Sequence, residues 1–295
     1  MSMKDQYRVV SELGNQKNRK FGKVYLIEDK DTNEQGVMKC FLRNPNSPGM
    51  AHRLRSEASF SFDFPGLPKI IDVLNTEDEI ILIKNYASGI QLDDYWKSIP
   101  RKQQFSELVK ILSCLQPLFD TLKTQGIVHC DIKPSNILIE KVGEEIKCHL
   151  IDFGLAIRRG SENDFEVLFP LGFASPELIL NRLKIVDHTT DLFALGISIW
   201  KLFTGSLPLS HPNPSIFTNL QITYPLPDHH ALPRGVYSIL QKMCYKQPFQ
   251  TAPHRMSTNA IDALLLQAQV ERYQSLNEVI EDLNKIPQKK SWWIF

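Results

Sequence analysis

The hydrophobic period of this 295-residue chain changes once, near Tyr86, and that change sets what it can fold into. Before it, Tyr7 to Leu13, Val24 to Glu28, Val37 to Leu42, Ile70 to Leu74 and Glu79 to Lys84 alternate or are rich in β-branched residues. Such segments predict a small, mostly antiparallel sheet. One helix, Ala51 to Phe62, interrupts the strands, and the polar stretch Asp29 to Gln35 reads as a hairpin loop. After Tyr86 the period lengthens. Leu108, Ile111, Leu112, Leu115, Leu118, Phe119 and Leu122 recur at three-to-four spacing, the mark of a buried helical face, with Gly126 as its stop. Pro117 falls inside that helix and removes a backbone donor, at about 3 kcal/mol, so a kink or a break is expected there. Thr190 to Thr204 is apolar nearly all round, as a central buried helix is, and Gly205 and Pro208 close it. Ser275-Leu276-Asn277-Glu278 matches a capping box and should start the last helix. The pattern predicts an α+β, bilobal chain: a small β-rich lobe over 1–86, a larger and mainly helical lobe over 87–286, and a short tail over 287–295. The lobe boundary falls near Tyr86 to Gly89.

Composition narrows the function classes. With 42% hydrophobic and 23% charged residues and a formal charge of +1, the chain has neither the signature of disorder nor a field that would attract nucleic acid. Cys40, Cys114, Cys130, Cys148 and Cys244 form no CxxC pair and no ligand-like cluster with histidine, so they read as cytosolic thiols. The first residues lack a signal-peptide core, and the most apolar stretch, Leu192 to Phe203, is too short and interrupted to span a bilayer. A cytoplasmic location is expected. The tail from Pro287 to Phe295 mixes basic and aromatic residues, a composition that suits a membrane interface or a partner; packing on its own domain is the preferred reading.

The chemistry concentrates in His129-Cys130-Asp131-Ile132-Lys133-Pro134-Ser135-Asn136 and in Asp152-Phe153-Gly154. An acid, a lysine, an amide and a second acid in that order suit phosphoryl transfer. Asp131 can accept the proton of an attacking hydroxyl, Asn136 and Asp152 offer hard oxygens to Mg²⁺, and Lys133 can neutralise the transferred group. This set resembles the signature of the eukaryotic-type (Hanks-type) protein kinase family, and the resemblance extends over about residues 7–286. It implies the bilobal kinase fold, ATP and Mg²⁺ as cofactors, and transfer of the γ-phosphoryl group to protein substrates. Lys133, two residues after the acid, is similar to the serine/threonine branch and implies a serine or threonine acceptor.

The resemblance also assigns the nucleotide side. Gly36-Val37-Met38-Lys39 is similar to the strand whose lysine pairs with phosphates and with a helix glutamate, and Glu57 is the only carboxylate between Asn44 and Phe62. Ser61 departs from the apolar residue the family places one turn later; Phe60 or Phe62 can fill that space. Leu13-Gly14 and Phe21-Gly22-Lys23-Val24 match the two ends of the phosphate-covering loop, which here is longer and lacks its middle glycine. Gly14, Gly22 and Val24 are the candidates for nucleotide contact, since glycine lets backbone amides approach phosphate closely. Lys17, Arg19 and Lys20 either add positive charge to the loop or form a solvated tip. Leu82 to Gly89 resembles the hinge, with Asn85 and Tyr86 offering backbone groups to adenine. Lys84 then lies behind the base, where a lysine needs a partner: it pairs with an acid such as Glu57, or the register is shifted by one.

On the substrate side, Cys130 replaces the arginine that clamps a loop phosphate in many regulated members, which places the chain with the non-RD subgroup. Ser161 is the only hydroxyl between Gly154 and Phe169, so activity should not require loop phosphorylation. Gly172-Phe173-Ala174-Ser175-Pro176-Glu177 is similar to the family's Ala-Pro-Glu segment, and Glu177 should bind a buried arginine, Arg255 or, by preference, Arg272. Asp191 matches the aspartate that caps the catalytic loop. Pro170 stands where a threonine usually bonds the catalytic acid and lysine. Two other readings remain open: a scaffold that keeps the fold without the activity, motivated by the loop, Lys84 and Pro170, and a small-molecule phosphotransferase, which Asp152-Phe153-Gly154, Glu177 and Asp191 disfavour.

Overall fold

In the computed structural model, which describes residues 6–14, 22–43, 48–160 and 169–287 apart from the side chains of Pro48 and Met50, five strands build one antiparallel sheet. They are β1 (Tyr7–Leu13), β2 (Lys23–Asp29), β3 (Gln35–Leu42), β4 (Ile70–Asn75) and β5 (Glu79–Asn85), in the spatial order β1-β2-β3-β5-β4. The polar stretch between β2 and β3 turns as its composition predicts. The Asp29 carboxylate accepts from the amides of Asp31 and Thr32, both at 2.9 Å, and Asn33 takes the left-handed conformation at φ 59°.

Strand alternation gives the sheet two apolar faces. Ile80 and Leu82 join Phe41 beneath helix α1 (Pro48–Ala58), which buries Ala51 and Leu54 against them; Ile81 and Ile83 face the other way with Ile27 and Met38. The helix ends at Ala58 rather than continuing to Phe62, a correction with a clear cause. Phe60 and Phe62 leave the helical path to pack on Phe153 in the large core, at ring separations of 6.2 and 5.1 Å, while the Ser61 hydroxyl accepts from the Ile70 amide. Tertiary packing outweighs the local helical pattern.

The second lobe is built around α3 (Gln104–Thr124) and α5 (His188–Thr204). Pro117 does not break α3, which runs as one helix through it, because Leu115, Leu118, Phe119 and Leu122 on either side are buried in the core. Helix α5 is capped at its start by Asp187, whose carboxylate accepts from the Thr189 amide, and at its end by Gly205 in the left-handed conformation; every residue from Thr189 to Trp200 is buried. The last helix, α9 (Leu276–Asn284), begins with half of the expected box. Ser275 Oγ accepts from the Glu278 amide at 3.2 Å, but the Glu278 carboxylate reaches the Gln274 amide, one residue further back.

Short strands that the sequence pattern does not announce carry the functional loops. β8 (Ile137–Val142) pairs with β9 (Glu145–Leu150) and with β6 (Ile90–Gln91), and β7 (Ile127–Val128) pairs with β10 (Ile157–Arg158). The segment holding Asp131, Lys133 and Asn136 hangs between β7 and β8, and Asp152 follows β9 after Ile151. Helices α2 (Leu92–Lys97), α4 (Pro176–Ile179), α6 (Pro214–Thr223), α7 (Val236–Met243) and α8 (Thr258–Glu271) complete the lobe. No helix among the described residues is long and apolar enough to cross a membrane.

Candidate active site

A cleft of about 640 Å³ is lined from the small lobe by Gly14, Gly22, Val24, Lys39, Glu57, Lys84, Asn85 and Tyr86 and from the helical lobe by Asp131, Lys133, Asn136 and Asp152. Every residue singled out for catalysis, nucleotide or metal thus borders one cavity. Residues Val37, Leu138 and Ile151 line it as well, and the sequence reading passed over them. Their only signal was adjacency: Val37 lies two residues before Lys39, Leu138 two after Asn136, and Ile151 immediately before Asp152.

Charge pairing dominates the back of the cleft. Lys39, on β3, donates to both oxygens of Glu57 at 2.9 and 2.6 Å and reaches Asp152 Oδ1 at 3.4 Å. Burial works to lower the Lys39 pKa, but Asp152 and Glu57 together hold it above its ordinary value. Lys84, from β5, donates to Glu57 Oε1 at 2.5 Å, so the acid this buried lysine needs is Glu57. Burial outweighs that pairing and lowers the Lys84 pKa. Glu57 is itself buried, which would raise its pKa, yet the two lysines hold it below the usual carboxylate range. Asp152 remains about half exposed, with 47% of its side chain accessible, and Lys39 above all keeps its pKa low.

The loop that carries Asp131 is held by its backbone. Cys130 has φ 61°, a left-handed conformation that costs a non-glycine residue roughly 1–3 kcal/mol. The Asp191 carboxylate on α5 accepts from the amides of His129 at 2.8 Å and Cys130 at 2.9 Å, which fixes this turn. Burial pushes the Asp191 pKa up to about 6 even so. The turn presents Asp131 with both carboxylate oxygens occupied: Lys133 Nζ donates to each at 2.9 Å, and Asn136 Nδ2 to Oδ2 at 2.9 Å. Lys133 makes these contacts without the missing threonine; the Pro170 carbonyl instead accepts from the amides of Phe173 and Ala174. Below the loop, the His129 ring packs on Phe153 at 4.5 Å, tying the Asp131 and Asp152 segments together.

Gly22 has a reason for being glycine that needs no ligand. At φ +86° a Cβ would lie 2.5 Å from the Cys40 carbonyl oxygen of the neighbouring strand. Gly14, at φ +91°, has open space around it. Lys17, Arg19, Lys20, Phe21 and Ser161 lie outside the described residues, as does the tail after Pro287. Further from the cleft, Glu177 binds Arg272 rather than Arg255: Arg272 Nη1 donates to Oε1 at 2.7 Å and Nη2 to Oε2 at 3.2 Å, with both side chains fully buried.

The arrangement has counterparts among known proteins. Residues 7–263 match the family described as Protein kinase domain. Aurora kinase B of Mus musculus is 24% identical over 255 residues, which cover 84% of this chain and 70% of that protein. The serine/threonine-protein kinase PrkC of Bacillus subtilis (strain 168) is 27% identical over 248 residues, covering 80% of this chain and 36% of that one. Smooth-muscle myosin light chain kinase of Gallus gallus is 29% identical over 213 residues, 71% of this chain but 11% of the relative. The chain therefore spans only part of the length of these relatives.

Proposed function

The chain belongs to the protein kinase family, and from that premise we propose that it transfers the γ-phosphoryl group of ATP to serine or threonine hydroxyls of proteins. The observation that carries the reading is the convergence of Lys39, Asp131, Asn136 and Asp152 on one cleft, each already oriented by a charged or amide partner. Phosphoryl transfer asks little covalent work of a protein and much positioning, so preorganised charges are what it requires.

In this reading adenine lies between the apolar side chains of Val24 and Val37 on one side and Leu138 on the other, with backbone groups of Asn85 and Tyr86 at its edge. Lys39 holds the α- and β-phosphates and is itself aimed by Glu57. Asp131 orients the acceptor hydroxyl and takes its proton, while Lys133, in contact with that carboxylate, lies where the transferred group's charge develops. The donor set suits Mg²⁺. No cluster of three His, Cys, Asp or Glu side chains exists among the described residues, and magnesium is commonly held by one or two protein oxygens together with substrate phosphates. Asp152, half exposed, and Asn136, whose amide nitrogen is spent on Asp131 and whose oxygen is left to accept, would hold it; the bound ion supplies neutralisation of phosphate charge.

The serine/threonine preference draws on Lys133 and on the printed names of relatives such as PrkC. A cytoplasmic location accords with five cysteines present as free thiols. Incubation with Mg²⁺ and γ-labelled ATP, followed by mass spectrometry of the acceptor sites, tests the proposal, with Asp152→Asn as control. Label on serine or threonine that disappears in the control is expected. Equal background incorporation by both proteins means a scaffold, and label on a sugar or antibiotic but on no protein means a small-molecule phosphotransferase.

A further inference from the structure

Glu57 is served by two lysines from two different strands, and the phosphotransfer reading employs only one of them. Lys39 is shared, lying within 2.9 Å of both Glu57 oxygens and 3.4 Å from Asp152, at the edge of the cleft with 20% of its side chain exposed. Lys84 is not shared. It borders the deep end of the same cleft with only 6% of its side chain exposed, and among the described residues its single close contact to an acid is Glu57 Oε1 at 2.5 Å. Besides Glu57, helix α1 is held by a small apolar contact that Ala58 joins at its edge and by Ser56 Oγ, which donates to the Ala156 carbonyl at 3.4 Å. Among its described side chains only Ala51 and Leu54 are buried apolar groups, and an 11-residue helix of such thin apolar content is marginal without tertiary anchors. Glu57 is its one buried charge.

We propose that Lys84 is a positioning residue: a second anchor that keeps Glu57, and with it α1, against the sheet whenever Lys39 is drawn toward phosphate. The two lysines divide the work. Lys39 can serve the nucleotide because Glu57 does not depend on it alone, and a buried carboxylate that lost its only cation would bear the full desolvation cost. The division deepens the phosphotransfer reading and its kinetic consequence rests on it, whereas its structural consequence does not.

Amide hydrogen exchange of residues 48–58 separates the cases. Lys39→Met is expected to leave α1 protected at near the wild-type rate, because Lys84 remains. The double variant Lys39→Met with Lys84→Met should exchange at least about tenfold faster there, the effect of losing hydrogen bonds to a charged group, while α3 and α5 keep their rates. Equal loss of α1 protection in Lys39→Met alone, or full protection in the double variant, overturns the proposal. Should the double variant lose protection throughout, the kinetics of Lys84→Met decide. A fall in kcat for phosphotransfer with KM for ATP unchanged supports a residue that acts through Glu57; an unchanged kcat, or a rise in KM alone, overturns it. If the wild-type protein transfers no phosphate, the enzymatic reading fails while the exchange measurement still judges Lys84.

Discussion

Two carboxylates in this protein are each gripped by basic side chains, and they differ in what surrounds them. Glu177 and Arg272 are sealed, with no side-chain exposure on either partner. Arg272 also donates through Nε to the Tyr245 carbonyl and lies over the Phe193 ring, and Thr190 donates to Glu177. Glu57 is nearly as buried, and Lys84 is too, but its other partner opens outward: Lys39 is 20% exposed and Asp152, which adjoins Lys39, is 47% exposed, both lining the cleft. A closed set of charges can only hold the lobe together. An open set leaves charge for a ligand, so the same chemistry serves stability in one place and function in the other.

The largest effect that sharpens this contrast comes from the sealed pair. Arg272→Ala leaves the Glu177 charge buried and alone, and should cost about 3–5 kcal/mol of stability in urea unfolding. In the open set, Asp152→Asn should reduce phosphotransfer by about 100- to 1000-fold while its urea midpoint stays near that of the wild type. An unfolding loss as large as that of Arg272→Ala would break the contrast.

Acid unfolding gives a smaller, signed effect. Burial alone would raise the Glu177 pKa, but Arg272 holds it below the ordinary 4.5. A carboxylate with a lowered native pKa contributes stability that is complete above its unfolded value and is lost as pH falls through the native one. Stability should therefore decline with acid below pH 4.5, and Glu177→Gln, less stable at neutral pH, should show a shallower decline. The smallest expected effect is none: Ser161→Ala should turn over like the wild type, measured under conditions where the protein is folded. Abolished turnover there would mean that the open set is assembled only after phosphorylation.

Much of the site was legible because its residues are spaced by covalent geometry. Asp131, Lys133 and Asn136 lie on one short loop between two strands, so their order in the chain nearly fixes their order in space, and Asp152 follows the next strand. Pairing across the chain was harder. Lys84 presented two alternatives that only the observed contact with Glu57 resolved, and Arg255 competed with Arg272 until burial separated them. The cleft-lining Val37, Leu138 and Ile151 escaped notice because, in the sequence, an apolar residue in or beside a strand looks the same whether it faces a core or a ligand.

The sequence by itself determined the sheet-then-helix order, the identity of the charged groups and their order along the chain, since hydrophobic period and loop spacing are local properties. Tertiary structure alone decided that α1 stops at Ala58, that α3 passes through Pro117 unbroken, and that one glutamate answers to two lysines. Those outcomes depend on what is packed against each segment. Phe153 draws Phe60 and Phe62 out of the helix, the core supports Pro117, and burial at the deep end of the cleft makes Lys84 pair with Glu57.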